Sequence, residues 1–345
     1  VWDETDTPSE WSSEAKFRAV PERLSSGQWI GAITRQNAHL PEGRKFHGGE
    51  LKKPEVKAAW EAVDTLAKKS ICLRRTFQVG DAKEGGANRK PGKKIVEATA
   101  YVCGLGFYEF SLNGQKVGNS EFAPLWSDYD KTVYYNTYDV TEQLRRGENV
   151  VGILLGNGFY NVQGGRYRKL QISFGPPTLL FELVINYEDG TCTTVHSDND
   201  WKYDFSPVTF NCIYGGEDYD ARREQKGWNQ IGFDDSHWRP VVIQEAPKGI
   251  LRPQMAAPVK IMERYDIQKV TKLNADQVAS ASVSTKRTVD LSAFVLDMGQ
   301  NLAGFPEITV RGKRGQKVTL IVAEALTEEG ACNQRQTCLL YTSPS

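Results

Sequence analysis

The sequence predicts an all-β protein: a jelly-roll β-sandwich domain flanked by partial β-sandwich domains, with one surface helix. Three observations predict it. Short apolar and aromatic stretches recur between Gly, Asn, Asp and Pro at close intervals, the pattern of sandwiches and jelly rolls. Two turns, Asn113-Gly114 and Asp189-Gly190, have hairpin chemistry. Only one segment carries a convincing longer helical period.

That segment is "PEVKAAWEAVDTLAKK" (54–69), in which Trp60, Val63 and Leu66/Ala67 form an apolar stripe and Pro54 sits in the first turn. The stretch 79–94, "VGDAKEGGANRKPGKK", is polar, Gly-rich and basic; a solvated loop explains it better than a phosphate patch. In "FYEFSLNGQKVG" (107–118) Tyr108, Phe110 and Leu112 share one face, and Asn113-Gly114 supplies the positive φ angles of a type I′ turn. In "SDYDKTVYYNTYDV" (127–140) both alternate sets carry bulk: Tyr134, Asn136, Tyr138 and Val140 on one side, Val133, Tyr135 and Thr137 on the other. That is a strand covered on two faces, its tyrosines packing rather than displayed. Thr141–Arg146 reads as one helical turn stopped by Gly147. A strand over 149–155 then ends on Gly156-Asn157-Gly158, and a second hairpin spans 181–195.

With 345 residues the chain holds two or three domains, at roughly 100–200 residues per domain. Boundaries fall at 8–29 and 257–277. Lys plus Arg (43) equals Asp plus Glu (43), so no basic field draws nucleic acid or an anionic membrane. No stretch of eighteen apolar residues occurs, so nothing reads as a membrane span. The six cysteines lack a C-x-x-C pair and the histidines number four. These cysteines read as free thiols, mostly buried, and a Cys/His zinc site has little material. The chain opens on Val1 and reads as starting in mid-protein, which leaves the compartment open.

Several constellations carry chemistry on paper. Glu217 and Asp220 in "YGGEDYDARRE" (214–224) would suit acid–base hydrolysis of a glycoside, but Arg222 and Arg223 beside them favour an ion-paired corner. Asp198, Asp200 and Asp204 are spaced like the start of a calcium loop, yet Tyr203 replaces the turn glycine and no glutamate closes it, which rejects an EF-hand. In "LLGNGFYN" (154–161) Asn157 offers an amide to hydroxyls, and Phe159 and Tyr160 offer rings to an apolar sugar face. A turn whose aromatics enter the core is the favoured alternative. Asp128 and Asp130, just before their strand, and Glu217 complete the candidate carbohydrate contacts. No phosphate loop, dinucleotide loop or G-x-S-x-G elbow appears.

Taken in order, "GLGFYEFSLNGQKVG", "FAPLWSDYDKTVYYNTYDVTEQLRRGENVVGILLGNGFY", "IYGGEDYDAR", "FDDSHWRPV" and "VLDMGQNLAGFPEITVRGKRGQKVTLIVAEALTEEG", with "WIG" at 29–31, resemble the N-terminal, non-catalytic part of bacterial α-L-rhamnosidases. The likeness covers most of residues 28–337. It implies the end of a fibronectin-III-like domain over 1–20 and a jelly roll similar to galactose-binding folds over 28–260. The start of a concanavalin-like sandwich over 266–337 follows. Residues 338–345 fit no continuation of the family and are read as an unrelated tail.

The resemblance also implies inverting hydrolysis of terminal α-L-rhamnose from glycosides or polysaccharides. Its two carboxylates lie on an (α/α) barrel that nothing here matches, so no catalytic residue is carried over. No cofactor is required, and calcium is the one ion kept open. The expected partners are rhamnose-containing glycans and the catalytic domain against which this part packs. The alternative is a non-catalytic carbohydrate-binding module. A sugar-binding domain of a β-galactosidase-like enzyme shares the fold but not these motifs.

Overall fold

The computed structural model describes residues 4–5, 7–10, 24, 27–41, 45–80, 93–164, 170–281 and 293–334. The expected fibronectin-like end, the Lys-rich loop and the tail after 337 fall wholly or largely outside them.

Two antiparallel sheets face each other. One runs, edge to edge, through Val242–Ile243, Ile30–Gly31, Thr178–Tyr187, Ile95–Leu105, Thr132–Asp139 and Ile250–Pro253, with Cys192–His196 also on the Thr178–Tyr187 strand. The other runs Arg239–Pro240, Lys202–Phe205, Ile71–Val79, Gly147–Leu155, Tyr108–Leu112 and Gln115–Lys116. Ile250–Pro253 departs from the rule by pairing parallel to Thr132–Asp139. Alternation sets the core between them. Leu73, Phe110 and Ile153 from one sheet meet Val102, Phe181 and Leu183 from the other, all buried. Phe110 and Phe181 touch edge-on across the interface at 5.7 Å.

The hairpin at 107–118 forms as its turn chemistry requires. Asn113 and Gly114 take φ of 53° and 83°, and Ser111 and Leu112 pair with Lys116 and Gln115. At the second hairpin Gly190 takes φ of 81°, and Asp189 Oδ1 accepts from Thr191 N at 3.0 Å.

The tyrosine-rich strand is covered on both faces. Val133 and Tyr135 enter a second cluster with Tyr101, Tyr129, Tyr160 and Leu180, while Tyr138 packs on the main core. The Tyr108 hydroxyl lies 3.0 Å from both Asn136 Oδ1 and the Tyr138 hydroxyl, which satisfies polar tips that burial would otherwise penalise.

Two expectations are corrected. The helix over 54–69 is an α-helix only over Pro54–Glu61. Asp64 then accepts from Leu66 N at 2.7 Å and starts a separate 3-10 helix, Thr65–Lys68, so a local side-chain cap competes with continued helix. The apolar stripe survives the break: Trp60, Val63 and Ala67 are buried against Ile33 and Ala38. Likewise the turn over 141–146 is a 3-10 helix of Thr141–Gln143 alone, and Gly147, at φ 86°, opens the next strand instead of capping a helix.

After the sandwich, ordered pairing is sparse. Lys269–Lys272 pairs with Phe294–Asp297, and Ala325–Leu326 with Cys332–Asn333. Leu296, Phe305, Ile308, Val318, Leu320 and Val322 are all exposed. Among the described residues no helix is long and apolar enough to cross a membrane. The five described cysteines are free, and Cys72, Cys103 and Cys212 are buried.

Candidate functional site

One end of the sandwich is built by two glycine loops pressed together. Gly106, at φ 124°, lies so close to the facing loop that a Cβ would stand 2.0 Å from the Gly156 carbonyl oxygen; a Cβ on Gly158, at φ 50°, would stand 2.7 Å from Phe107 N. Only glycine fits either position. The contact is closed by Gly156 N donating to Phe107 O at 2.8 Å.

Beneath these loops lies an amide network. The 3-10 helix Thr65–Lys68 ends with carbonyls that no helical N–H can reach. Asn161 Nδ2 donates to Ala67 O at 2.8 Å, and Asn157 Nδ2 donates to Lys68 O at 3.0 Å. Asn157 Oδ1 accepts from Asn161 Nδ2 at 2.8 Å, and its backbone N–H donates to Asn211 Oδ1 at 2.9 Å. Gln163 Nε2 donates to Asn211 O at 2.9 Å. Asn157 is fully buried, so its amide faces this network, inward.

Of the five candidate carbohydrate contacts, Asn157 is itself a member of this network, and Glu217 meets it through Asn211. Tyr160 is buried, its hydroxyl donating to Phe174 O at 3.2 Å, its ring 5.1 Å from that of Tyr129. Tyr129 stands between Asp128 and Asp130. Asp128 caps that turn, accepting from Asp130 N at 3.3 Å and pairing with Lys131 at 3.1 Å. Glu217 lies on Gly216–Tyr219, in register with Asn211. Glu217 is exposed, and desolvation by its surroundings, then the neighbouring Asp218, shifts its carboxyl upward.

Asp220 is an ion-paired corner: Arg222 Nε and Nη2 donate to its two oxygens at 2.7 and 2.8 Å. Those hydrogen bonds lower its pKa to about 2. Asp198 and Asp200 both engage Arg75, at 3.4 and 2.7 Å, while Asp204 accepts from Gln225 at 2.6 Å and Arg239 at 2.5 Å. Among the described residues no group of three or more His, Cys, Asp or Glu side chains is placed to hold a metal ion.

What the glycine loops display is aromatic. Phe159 touches Trp126, Tyr214 and Phe107 at 5.2, 6.1 and 6.0 Å between ring centres. Phe107 touches Phe122 at 5.6 Å, and Phe122 touches Phe305 at 5.7 Å. Trp126, Phe122 and Phe305 are 63%, 48% and 51% exposed. Phe122 holds φ of 52°, a conformation costly for a bulky residue and concentrated at functional positions. Of this band the sequence pointed only to Phe159. Its other rings are scattered between positions 107 and 305, each beside a turn, and only the topology assembles them.

Residues 93–263 match the alpha-L-rhamnosidase N-terminal domain, and residues 287–340 match the bacterial alpha-L-rhamnosidase concanavalin-like domain. An alpha-L-rhamnosidase of Formosa agariphila is 33% identical over 96% of this chain and 32% of its own length. The structure of a Streptomyces avermitilis alpha-L-rhamnosidase complexed with L-rhamnose is 34% identical, covers 61% of this chain and 19% of its own, and superposes with a TM-score of 0.53. A native alpha-L-rhamnosidase of Aspergillus terreus gives a TM-score of 0.59 at 28% identity, over 82% of this chain and 27% of its own. The chain thus spans between a quarter and a third of the length of the curated relatives it matches. Matched in order by both domains and along nearly all its length, the chain belongs to the N-terminal β-domain region of the alpha-L-rhamnosidase family.

Proposed function

We propose that this chain is the non-catalytic β portion of an α-L-rhamnosidase that removes terminal α-L-rhamnose from glycosides or polysaccharides, with inversion. Its jelly roll, over 28–260, and the sandwich beginning at 266 act as the scaffold on which the catalytic domain packs. One observation carries this reading: the exposed aromatic band at the glycine loops continues from Phe122 onto Phe305. A patch of large exposed rings, one of them held at a positive φ, has the character of an interaction surface. The non-catalytic part of the reading is supported by the Asp220 geometry, since both of its oxygens are taken by Arg222 as an ion-paired corner.

The reacting carboxylates therefore belong to the catalytic domain, and the scaffold role needs no cofactor. A melting temperature unmoved by added calcium agrees with this, and a rise on calcium addition opposes it. The test of the scaffold is a fusion of this chain to the remaining C-terminal part of the Formosa agariphila relative. Phe122→Ser with Trp126→Ser should lower the melting temperature and aryl α-L-rhamnoside hydrolysis of the fusion while leaving the isolated chain's folding intact. An unaffected fusion would refute the docking role. A carbohydrate-binding role for the same rings is the second reading, favoured by the 63% exposure of Trp126 beside Phe159. Calorimetry with L-rhamnose on the Trp126→Ser chain tests it.

A further inference from the structure

A second feature joins the jelly roll to the region that follows it. Gln254, just past the Ile250–Pro253 strand, is pinned to the sandwich twice. Its backbone N–H donates to Tyr135 O at 2.9 Å, and its Oε1 accepts from Leu125 N at 2.9 Å. From Met255 to Ile267 the chain has no helix or strand and is exposed at nearly every residue. Along this path Val259 O accepts from Glu121 N at 2.8 Å. Arg264 then pairs with Glu307, close in sequence to Phe305, whose ring meets Phe122 edge-on with 86° between the planes.

The two sides of this junction are held unequally. Loop 121–126 is fastened within the jelly roll, where Tyr108 N donates to Ala123 O at 2.8 Å and Lys116 pairs with Glu121 at 2.7 Å. It therefore keeps its place whether or not the following region lies against it. The contacts across the junction are lighter. Among the described residues, the strands of the following region pair with one another and not with the jelly roll. The Arg264 and Glu307 side chains are 69% and 71% exposed, so water and salt screen their attraction. Phe122 and Phe305 both stay half exposed after they meet. Two domains joined by so slight and polar a contact move relative to each other as the default.

We propose that Arg264 and Glu307 are the catch of a latch between the two domains. Closed, the pair ties the linker to the segment that carries Phe305 and seats that ring on Phe122. Open, the following region swings on the linker after Gln254 and leaves Phe122 bare. Ionic strength sets the balance, because the catch is an exposed ion pair. The inference rests on reading the aromatic band as the docking surface, and it adds a regulation to that surface. A catalytic domain that docks there meets rings from two domains in the closed state and from the jelly roll alone in the open one.

The experiment is hydrogen exchange followed by mass spectrometry on the full chain, read at the peptide 119–126, which carries the Glu121 amide that Val259 holds in the closed state. Glu307→Arg sets two cations against each other and should speed exchange there about threefold, the scale of an exposed pair. The reversed pair, Arg264→Glu with Glu307→Arg, should restore the native rate. Raising sodium chloride from about 50 mM to about 1 M should speed exchange in the native chain and leave Glu307→Arg no slower. The Gly147–Leu155 strand is the reference and should exchange alike throughout, which separates an open latch from unfolding. Unchanged exchange at 119–126 in Glu307→Arg, a reversed pair that stays fast, or acceleration shared by the reference strand would each overturn the latch. Any of these leaves docking of the catalytic domain to be judged by its own fusion test.

Discussion

Asn157 and Asn211 hold each other across 54 positions of sequence: the backbone N–H and the side-chain amide of Asn157 both donate to Asn211 Oδ1, at 2.9 and 3.1 Å. Asn157 also closes the Lys68 carbonyl and receives Asn161. A fully buried amide with this many partners is a structural clamp under the aromatic end. Its position under Phe159 links the two: what faces solvent there is set by what is satisfied below.

Replacing Asn157 by Ala removes the donor to the Lys68 and Asn211 carbonyls and the acceptor for Asn161, leaving each of these buried groups one hydrogen bond short. The expected cost is about 1–3 kcal/mol, read as a lower midpoint in urea. Asn157→Asp should be at least as damaging, since it sets an acceptor against the Lys68 carbonyl. An unchanged midpoint for both would contradict the clamp.

The Arg74–Asp235 pair makes a stronger demand. The Arg74 side chain is only 2% exposed, and Asp235 also takes Lys202 at 2.7 Å. Asp235→Ala strands a buried guanidinium, and breaking such a pair costs about 3–5 kcal/mol. Near-ultraviolet circular dichroism should weaken as the stacked Trp228 and Trp238 lose their loop. Retention of both signal and stability would count against this role for the pair.

Thiol chemistry should follow burial. Burial, then the charge of Asp204, raises the Cys72 thiol to about 12; burial also raises Cys103. A thiol kept protonated at neutral pH is inert. Mild alkylation of the native chain followed by peptide mapping should label the exposed Cys192 and spare Cys72, Cys103 and Cys212. Equal labelling of all four would show that the core opens readily.

Exposed apolar residues in the region after the sandwich, Leu296 to Val322, leave edges and faces that favour self-association. Residues 28–265 expressed alone should therefore give more soluble protein than the whole chain. Equal yields would refute that explanation.

Much of the fold was legible because local chemistry and tertiary structure agree in it. Asn113-Gly114 dictates its own turn, and bulk at both alternate sets of 133–140 required two covered faces, which the main core and the Tyr129–Tyr160 cluster supply. The helix was overextended because the apolar spacing of Val63, Leu66 and Ala67 persists through Asp64, whose side-chain cap resets the helix without disturbing the stripe. The site was less legible for a topological reason. Residues 107, 122, 126, 159, 214 and 305 carry no shared period; each is an isolated aromatic beside a turn until the sheets bring the turns together.

The central claim, that this region carries no working pair of reacting carboxylates, is tested most directly by incubating the purified chain with nitrophenyl α-L-rhamnoside. No release of nitrophenol above the buffer rate is expected. Release that scales with chain concentration and survives repurification would contradict it.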